Sequence, residues 1–267
     1  MELTAARSTF YGDIGHWADR TPVHEAASLG RALPLKQLIE AGASVNIVSV
    51  DNFTPLHDAC IQAHPKCVQI LLEAGAQVDV RTIHGSTPLC HACAAGSIES
   101  VKLLVDHGAS VNPSLTALTA SPLHEACIRG EIRCWRPLTF TSGRHYMLLV
   151  LKHFFIGAKV NATKFHETAL HHAARAERVD LVELLVEFGG NGNISDNLGH
   201  KPRDYTKPES STNLCLLHYE SNPLSLQQLC RIVLRTVLGT RALELIPKLD
   251  ISQRIIDYLI YKLYMYK

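Results

Sequence analysis

The stretch that decides the fold is Thr54-Pro55-Leu56-His57-Asp58-Ala59-Cys60. It returns as Thr21-Pro22-Val23-His24-Glu25-Ala26-Ala27, as Thr87-Pro88-Leu89-Cys90-His91-Ala92-Cys93 and as Ser121-Pro122-Leu123-His124-Glu125-Ala126-Cys127. A fifth copy is Thr168-Ala169-Leu170-His171-His172-Ala173-Ala174, and Lys201-Pro202 opens a decayed sixth. A second phrase keeps step with the first: Gly42-Ala43-Ser44-Val45-Asn46, Gly75-Ala76-Gln77-Val78-Asp79, Gly108-Ala109-Ser110-Val111-Asn112, Gly157-Ala158-Lys159-Val160-Asn161 and the worn Gly189-Gly190-Asn191-Gly192-Asn193. Such a fixed period marks a solenoid, in which each unit buries its apolar face only against its neighbours.

The residue types explain the phrase. Thr or Ser is an N-cap whose hydroxyl satisfies an orphan amide of the first helical turn. Pro fits the first helical position, where no N–H is needed. Leu and the small Ala or Cys residues then face the neighbouring unit. A second helix follows, as in Cys67-Val68-Gln69-Ile70-Leu71-Leu72, with helical apolar spacing. Gly75 ends it, because Gly tolerates a left-handed C-terminal residue. The polar stretch Gln77 to Ser86 crosses to the next unit.

This resembles the ankyrin repeat, whose T-P-L-H-x-A phrase the copies match over roughly residues 21–206. The resemblance implies a curved stack of helix pairs with projecting β-turn fingers. His24, His57, His124 and His171 are then turn-stabilising residues rather than ligands. One step is irregular. Ser121 and Thr168 are 47 positions apart, either one repeat lengthened by 14 residues or two repeats with 19 lost. The run Trp135-Arg136-Pro137 interrupts a nascent helix there, so 131–156 is expected to be the weakest unit.

Past Thr206 a different pattern begins. Residues 207–222 read as a polar linker whose Leu214–Tyr219 is apolar enough to pack back on the stack. From Pro223 the run Ser225-Leu226-Gln227-Gln228-Leu229-Cys230-Arg231-Ile232-Val233-Leu234-Arg235 sets Leu226, Leu229, Cys230, Val233 and Leu234 on one helical face behind a Ser225 N-cap. Further helices are expected at Thr240–Ile246 and Ser252–Tyr261. Three short helices bury little surface alone; the plain reading is a terminal cap for the solenoid, and the sharper one is a docking face for another protein through helix-in-groove contacts.

Residues 223–267 resemble a SOCS box. Its elongin-binding motif is matched by Leu226, Cys230 and Leu234, with Leu229 beside them, which implies that this helix enters a pocket of elongin C. The cullin-binding stretch of that family corresponds to Leu249, Ile251, Ser252, Ile255 and Tyr258. The two prolines usual there are replaced by Asp250 and Ser252, which weakens the preset chain direction. Repeats followed by this tail make the chain similar to the ankyrin repeat and SOCS box family. The expected architecture is all-α: residues 1–20 as an N-terminal segment, a solenoid over 21–206, the linker, and a three-helix SOCS box.

Composition narrows the function classes. The 267 residues carry 26 Lys and Arg against 25 Asp and Glu, a net charge of +1, so no global field favours nucleic acid. The most apolar run, Met147–Ile156, is broken by Lys152 and His153 and is too short to span a membrane. The N-terminus lacks the apolar core of a secretory signal. A cytoplasmic location is expected, with the nucleus also allowed, and the eight cysteines are expected as free thiols. Cys90-His91-Ala92-Cys93 has no second pair to complete a zinc set. His166 and His171 stand five apart, not the four of a zinc protease helix, and no phosphate loop or nucleophile elbow occurs. No catalytic group, cofactor or metal is expected.

The expected role is substrate recognition for a ubiquitin ligase, with elongin B and elongin C, cullin-5 and its RING protein implied as partners alongside an unidentified protein substrate. The alternative is a scaffold or decoy without ligase activity. By repeat register the finger tips are Val50, Asp51, Asn52, Ile83, His84, Phe165, His166, Asn197 and Leu198. Ile83 and Phe165 are candidate substrate anchors if exposed, or packing residues if they tuck under the next finger.

Overall fold

The computed structural model describes residues 20–113, 121–129 and 158–259. Most of the N-terminal segment, the irregular 131–156 and the end of the third tail helix lie outside the described residues.

Helices alternate along the repeat phrase. They are α1 (Pro22–Ser28), α2 (Ala32–Glu40), α3 (Pro55–Ile61), α4 (Pro65–Glu73), α5 (Pro88–Ala95), α6 (Ile98–Asp106), α7 (Pro122–Arg129), α8 (Ala169–Arg175) and α9 (Val179–Glu187). The Thr positions start helices as their chemistry requires. Thr54 sits in extended backbone, and its hydroxyl accepts from the His57 N–H at 3.4 Å. Thr87 does the same for Cys90. At the other end Gly75 takes φ +83°. Its N–H donates to Leu72 O and that of Ala76 to Leu71 O, the paired bonds that close a helix through a left-handed residue.

The first helices of successive units stack in the order α1, α3, α5, α7, α8. The second helices α2, α4 and α6 stack alongside. Leu35, Leu56, Leu71, Leu89, Leu104, Leu123, Leu170 and Leu185 fill the shared core. Cys60, Cys93 and Cys127 are buried among them, and burial pushes the Cys127 thiol up to about 12. These thiols act as small apolar groups.

Two kinds of side chain staple the units. His24 Nδ1 lies 2.9 Å from the Thr21 hydroxyl, while its Nε2 lies 3.0 Å from Phe53 O of the next unit. His124 reaches Glu167 O and His171 reaches His200 O, each at 3.3 Å. The last residue of the second phrase does the corresponding work between loops. Asn46 Oδ1 accepts from Gln77 N at 2.8 Å, Asp79 from Ser110 N at 3.0 Å and Asn161 from Asn191 N at 2.9 Å.

The same pair of staples decides the irregular step. Asn112 Oδ1 accepts from Lys159 N at 2.7 Å, and His124 bonds directly to the finger before Thr168. The units at Ser121 and Thr168 are therefore immediate neighbours. The 47-residue spacing is one step of the stack.

The decayed copy forms a 3-10 turn, Pro202–Tyr205, packed on α8. Asp204 takes the histidine's place and accepts the Lys201 N–H at 2.8 Å. The stretch read as a linker contains α10 (Ser211–Ser221), which packs on α9 with Thr212 and Leu216 buried. Beyond it come α11 (Leu226–Leu238), α12 (Ala242–Leu245) and α13 (Gln253–Leu259). α12 is shorter than the helix expected at 240–246, because 3-10 turns at Gly239–Arg241 and Ile246–Lys248 flank it and Pro247 stops the α-helical ladder.

Candidate protein-docking faces

The helix α11 starts as its sequence dictates. Ser225 Oγ accepts the Gln228 N–H at 3.3 Å, and the Gln228 side chain accepts the Ser225 N–H at 2.9 Å. Its apolar stripe points outward. Leu226 is 77% exposed, and Leu229, Cys230, Val233 and Val237 are exposed beside it. The buried side carries two arginines. Arg231, 1% exposed, pairs with Glu187 at the end of α9 and lies over the Tyr258 ring at 4.7 Å. Gln228 donates to the same carboxylate at 3.1 Å. Arg235 donates to Phe188 O at 2.5 Å and covers the Phe188 ring at 4.8 Å. Phe188 caps α9, so both guanidiniums sit at the negative end of that helix dipole. Ile232 seats against Gly189, where φ is +93° and an added Cβ would lie 3.1 Å from Ile232 Cγ2.

Of the residues read as elongin-binding, Leu226, Leu229 and Cys230 share the outward face. Leu234 does not stand fully with them: it is partly buried against the core. Two turns and a fraction past Leu226, it falls on the flank of the stripe. Val237 completes the face and was missed; it continues the i+4 spacing from Val233. The arginine clamp was also missed, since its partners lie 44 and 47 positions away.

The second candidate stretch is mixed. Leu249, Ile251 and Ile255 are partly open to solvent, and Ser252 O accepts from Ile255 N and Ile256 N at the start of α13. Tyr258 is only half-buried but is engaged under Arg231.

The finger tips form a separate surface. Val50, Ile83, Phe165 and Leu198 are each at least 60% exposed, so Ile83 and Phe165 do not tuck under a neighbour. Phe165 (φ +50°) and His166 (φ +70°) make the two-residue turn between strands β1 (Thr163–Lys164) and β2 (Glu167–Thr168). Two left-handed residues suit such a hairpin, and a phenylalanine there is strained. Asn52 is part of the scaffold as well as the tip: its amide donates to Arg81 O, while Ile83 N donates to Asp51 O at 3.2 Å. Asp51 is partly open, and His84, His166 and Asn197 are exposed. Among the described residues no cluster of three or more His, Cys, Asp or Glu side chains is arranged to hold a metal ion. Among them, too, no helix is long and apolar enough to cross a membrane.

Known proteins match both the repeats and the tail. Ankyrin-repeat family models match residues 11–82, 80–143 and 165–197, and the SOCS box model matches 222–260. Ankyrin repeat and SOCS box protein 13 of Homo sapiens is 54% identical, over 98% of this chain and all of that protein. The chain belongs to the ankyrin repeat and SOCS box family. Within the family, protein 13 of Mus musculus is 53% identical over the same extent. Protein 5 of Mus musculus is 46% identical, over 98% of this chain and 85% of that one. A crystal structure of the human ASB11 ankyrin repeat domain is 35% identical, covering 77% of this chain and all of that domain, with a TM-score of 0.47. Family membership supports a substrate-recognition adaptor role in a ubiquitin ligase.

Proposed function

We propose that this protein is the substrate-recognition subunit of an elongin B/C–cullin-5–RING ubiquitin ligase. α11 docks on elongin C, the Leu249–Tyr258 stretch approaches cullin-5, and the finger side of the repeats holds a protein substrate. The observation that carries the reading is the outward apolar stripe of α11 on a helix whose other side is fastened to the last repeat. A helix that exposes leucines and buries arginines has its apolar face free for another chain. The mechanism is positional: holding a substrate lysine near a charged conjugating enzyme raises effective concentration. A cytoplasmic location, with the nucleus also allowed, goes with this role; nucleic acid and membrane have no part in it.

The test is capture of purified elongin B–elongin C by the intact chain. Leu226→Ala with Cys230→Ala should abolish capture and leave thermal unfolding unchanged. Equal capture by the variant would refute the reading. A scaffold or decoy role is favoured by Asp250 and Ser252 at the motif prolines and by the engagement of Tyr258. Co-elution of cullin-5 with the elongin-bound chain separates the two readings.

A further inference from the structure

Between the fingers that carry Asp51 and His84, along the C-terminal half of α3, lies a hollow of about 390 Å³, lined among others by Arg20, Asp51, Phe53, Asp58, Ile61 and His84. Asp58 contributes a carboxyl group that is 1% exposed. Its Oδ1 accepts from Arg20 at 2.5 Å. Its Oδ2 is buried, and among the described residues no donor lies within hydrogen-bond reach. An ionised carboxylate has room for about four donors, and a buried one left partly unserved is costly. Burial pushes the Asp58 pKa up to about 6 even though Arg20 acts to lower it, so one guanidinium does not fully compensate the charge. Two carboxylates, Asp51 and Asp58, share the hollow with one arginine, and Phe53 and Ile61 supply apolar surface.

We propose that this hollow is a socket for a cationic side chain, arginine or lysine, of the bound substrate protein. The aliphatic stem lies along Phe53 and Ile61, as long basic side chains do on apolar surface. The head group meets Asp51 at the finger and, with a small shift of the side chains around Asp58, donates to Oδ2, which is closed to solvent in the free chain. The exposed Val50 and Ile83 stand next in sequence to the lining residues Asp51 and His84. The inference rests on reading the repeats as the substrate-binding part, and it names the chemistry selected there.

The test is a titration of the isotopically labelled intact chain with N-acetyl-L-arginine amide, followed by amide chemical shifts. N-acetyl-L-citrulline amide, of nearly the same shape without the charge, is the control. Saturable shifts centred on Asp51, Asp58 and Ile61 are expected with the arginine probe and not with citrulline. Asp58→Asn should weaken binding about tenfold, the loss of one charge-assisted hydrogen bond. Because that change also disturbs Arg20, Asp51→Asn serves as a second variant; it leaves the buried pair intact and should weaken binding about threefold. No saturation into the tens of millimolar, equal response to citrulline, or indifference to Asp51→Asn overturns the socket. The same samples are assayed for elongin B–elongin C capture. Capture without arginine binding fells the socket alone, and arginine binding without capture fells the adaptor reading alone.

Discussion

Helices α3 and α11 both carry an apolar stripe and a polar one, yet they are turned opposite ways. In α3, Leu56, Ala59 and Cys60 are fully buried in the stack. In α11, Leu226, Val233 and Val237 face solvent, while Arg231 and Arg235 are buried. The first helix spends its hydrophobic surface on the fold. The second is held by hydrogen bonds, charge, ring stacking and the packing of Ile232 and Leu234, and its outward stripe remains for a partner. Amphipathic periodicity reports that a helix has an apolar face and says nothing about which neighbour that face meets.

The sharpest way to break this contrast is matched truncation. Leu56→Ala should cost about 3–4 kcal/mol in urea unfolding, the combined loss of transfer energy and cavity formation. Leu226→Ala, at an exposed site, should shift stability by no more than about 0.5 kcal/mol. Comparable losses at the two sites would erase the distinction.

A second perturbation addresses the clamp. Arg231→Ala leaves Glu187 without its buried partner and should destabilise the docking of α11 by about 2–3 kcal/mol. Hydrogen exchange should accelerate across 226–238 while 55–73 is unchanged. Uniform acceleration would mean that the tail and stack unfold as one unit.

Acid sharpens the contrast with a smaller effect. Burial lowers the His57 pKa to about 3 and the His172 pKa to about 4, and it lowers His24, His124 and His171 too. The unfolded chain titrates near 6.5 at each of these sites. Well above pH 6.5 both states are neutral there and the stack keeps full stability. As pH falls from 6.5 toward 4, the unfolded chain takes up protons that the folded stack excludes, and stability drops. Asp58, raised to about 6, opposes this because the folded chain takes its proton first. From pH 7 to pH 5 the expected loss is about 2 kcal/mol for the deeply buried His57, offset by about 1 kcal/mol from Asp58. His57→Gln should flatten the profile; an unaltered slope would contradict the assignment of the acid sensitivity to buried neutral histidines.

The stack was legible because its cues are local and repeated. Thr54, Pro55 and Gly75 each act on their own turn, and the small residues at 60, 93 and 127 fall at equivalent buried positions. The irregular step was not legible, since counting residues leaves two arrangements; the Asn112–Lys159 bond selects one. Helix α10 was only half visible. Leu216 is buried, as the apolar run suggested, but Leu214 and Leu217 face out, so no clean period marks the helix. At the candidate site the sequence marked out α11, and Leu226, Leu229 and Cys230 are exposed on it, whereas the direction of the stripe depends on Glu187 and Phe188, far away in the chain.

The most direct test is thiol labelling, because Cys230 is the exposed cysteine among the described residues and stands in the middle of the outward stripe. The folded chain is treated with N-ethylmaleimide, alone and with elongin B–elongin C, and each cysteine is read by peptide mass spectrometry. The account predicts rapid labelling of Cys230, little at Cys60, Cys93 and Cys127, and strong protection of Cys230 once the elongins are added. A Cys230 that is inert in the free folded chain, or one that labels equally fast with the elongins present, would contradict it.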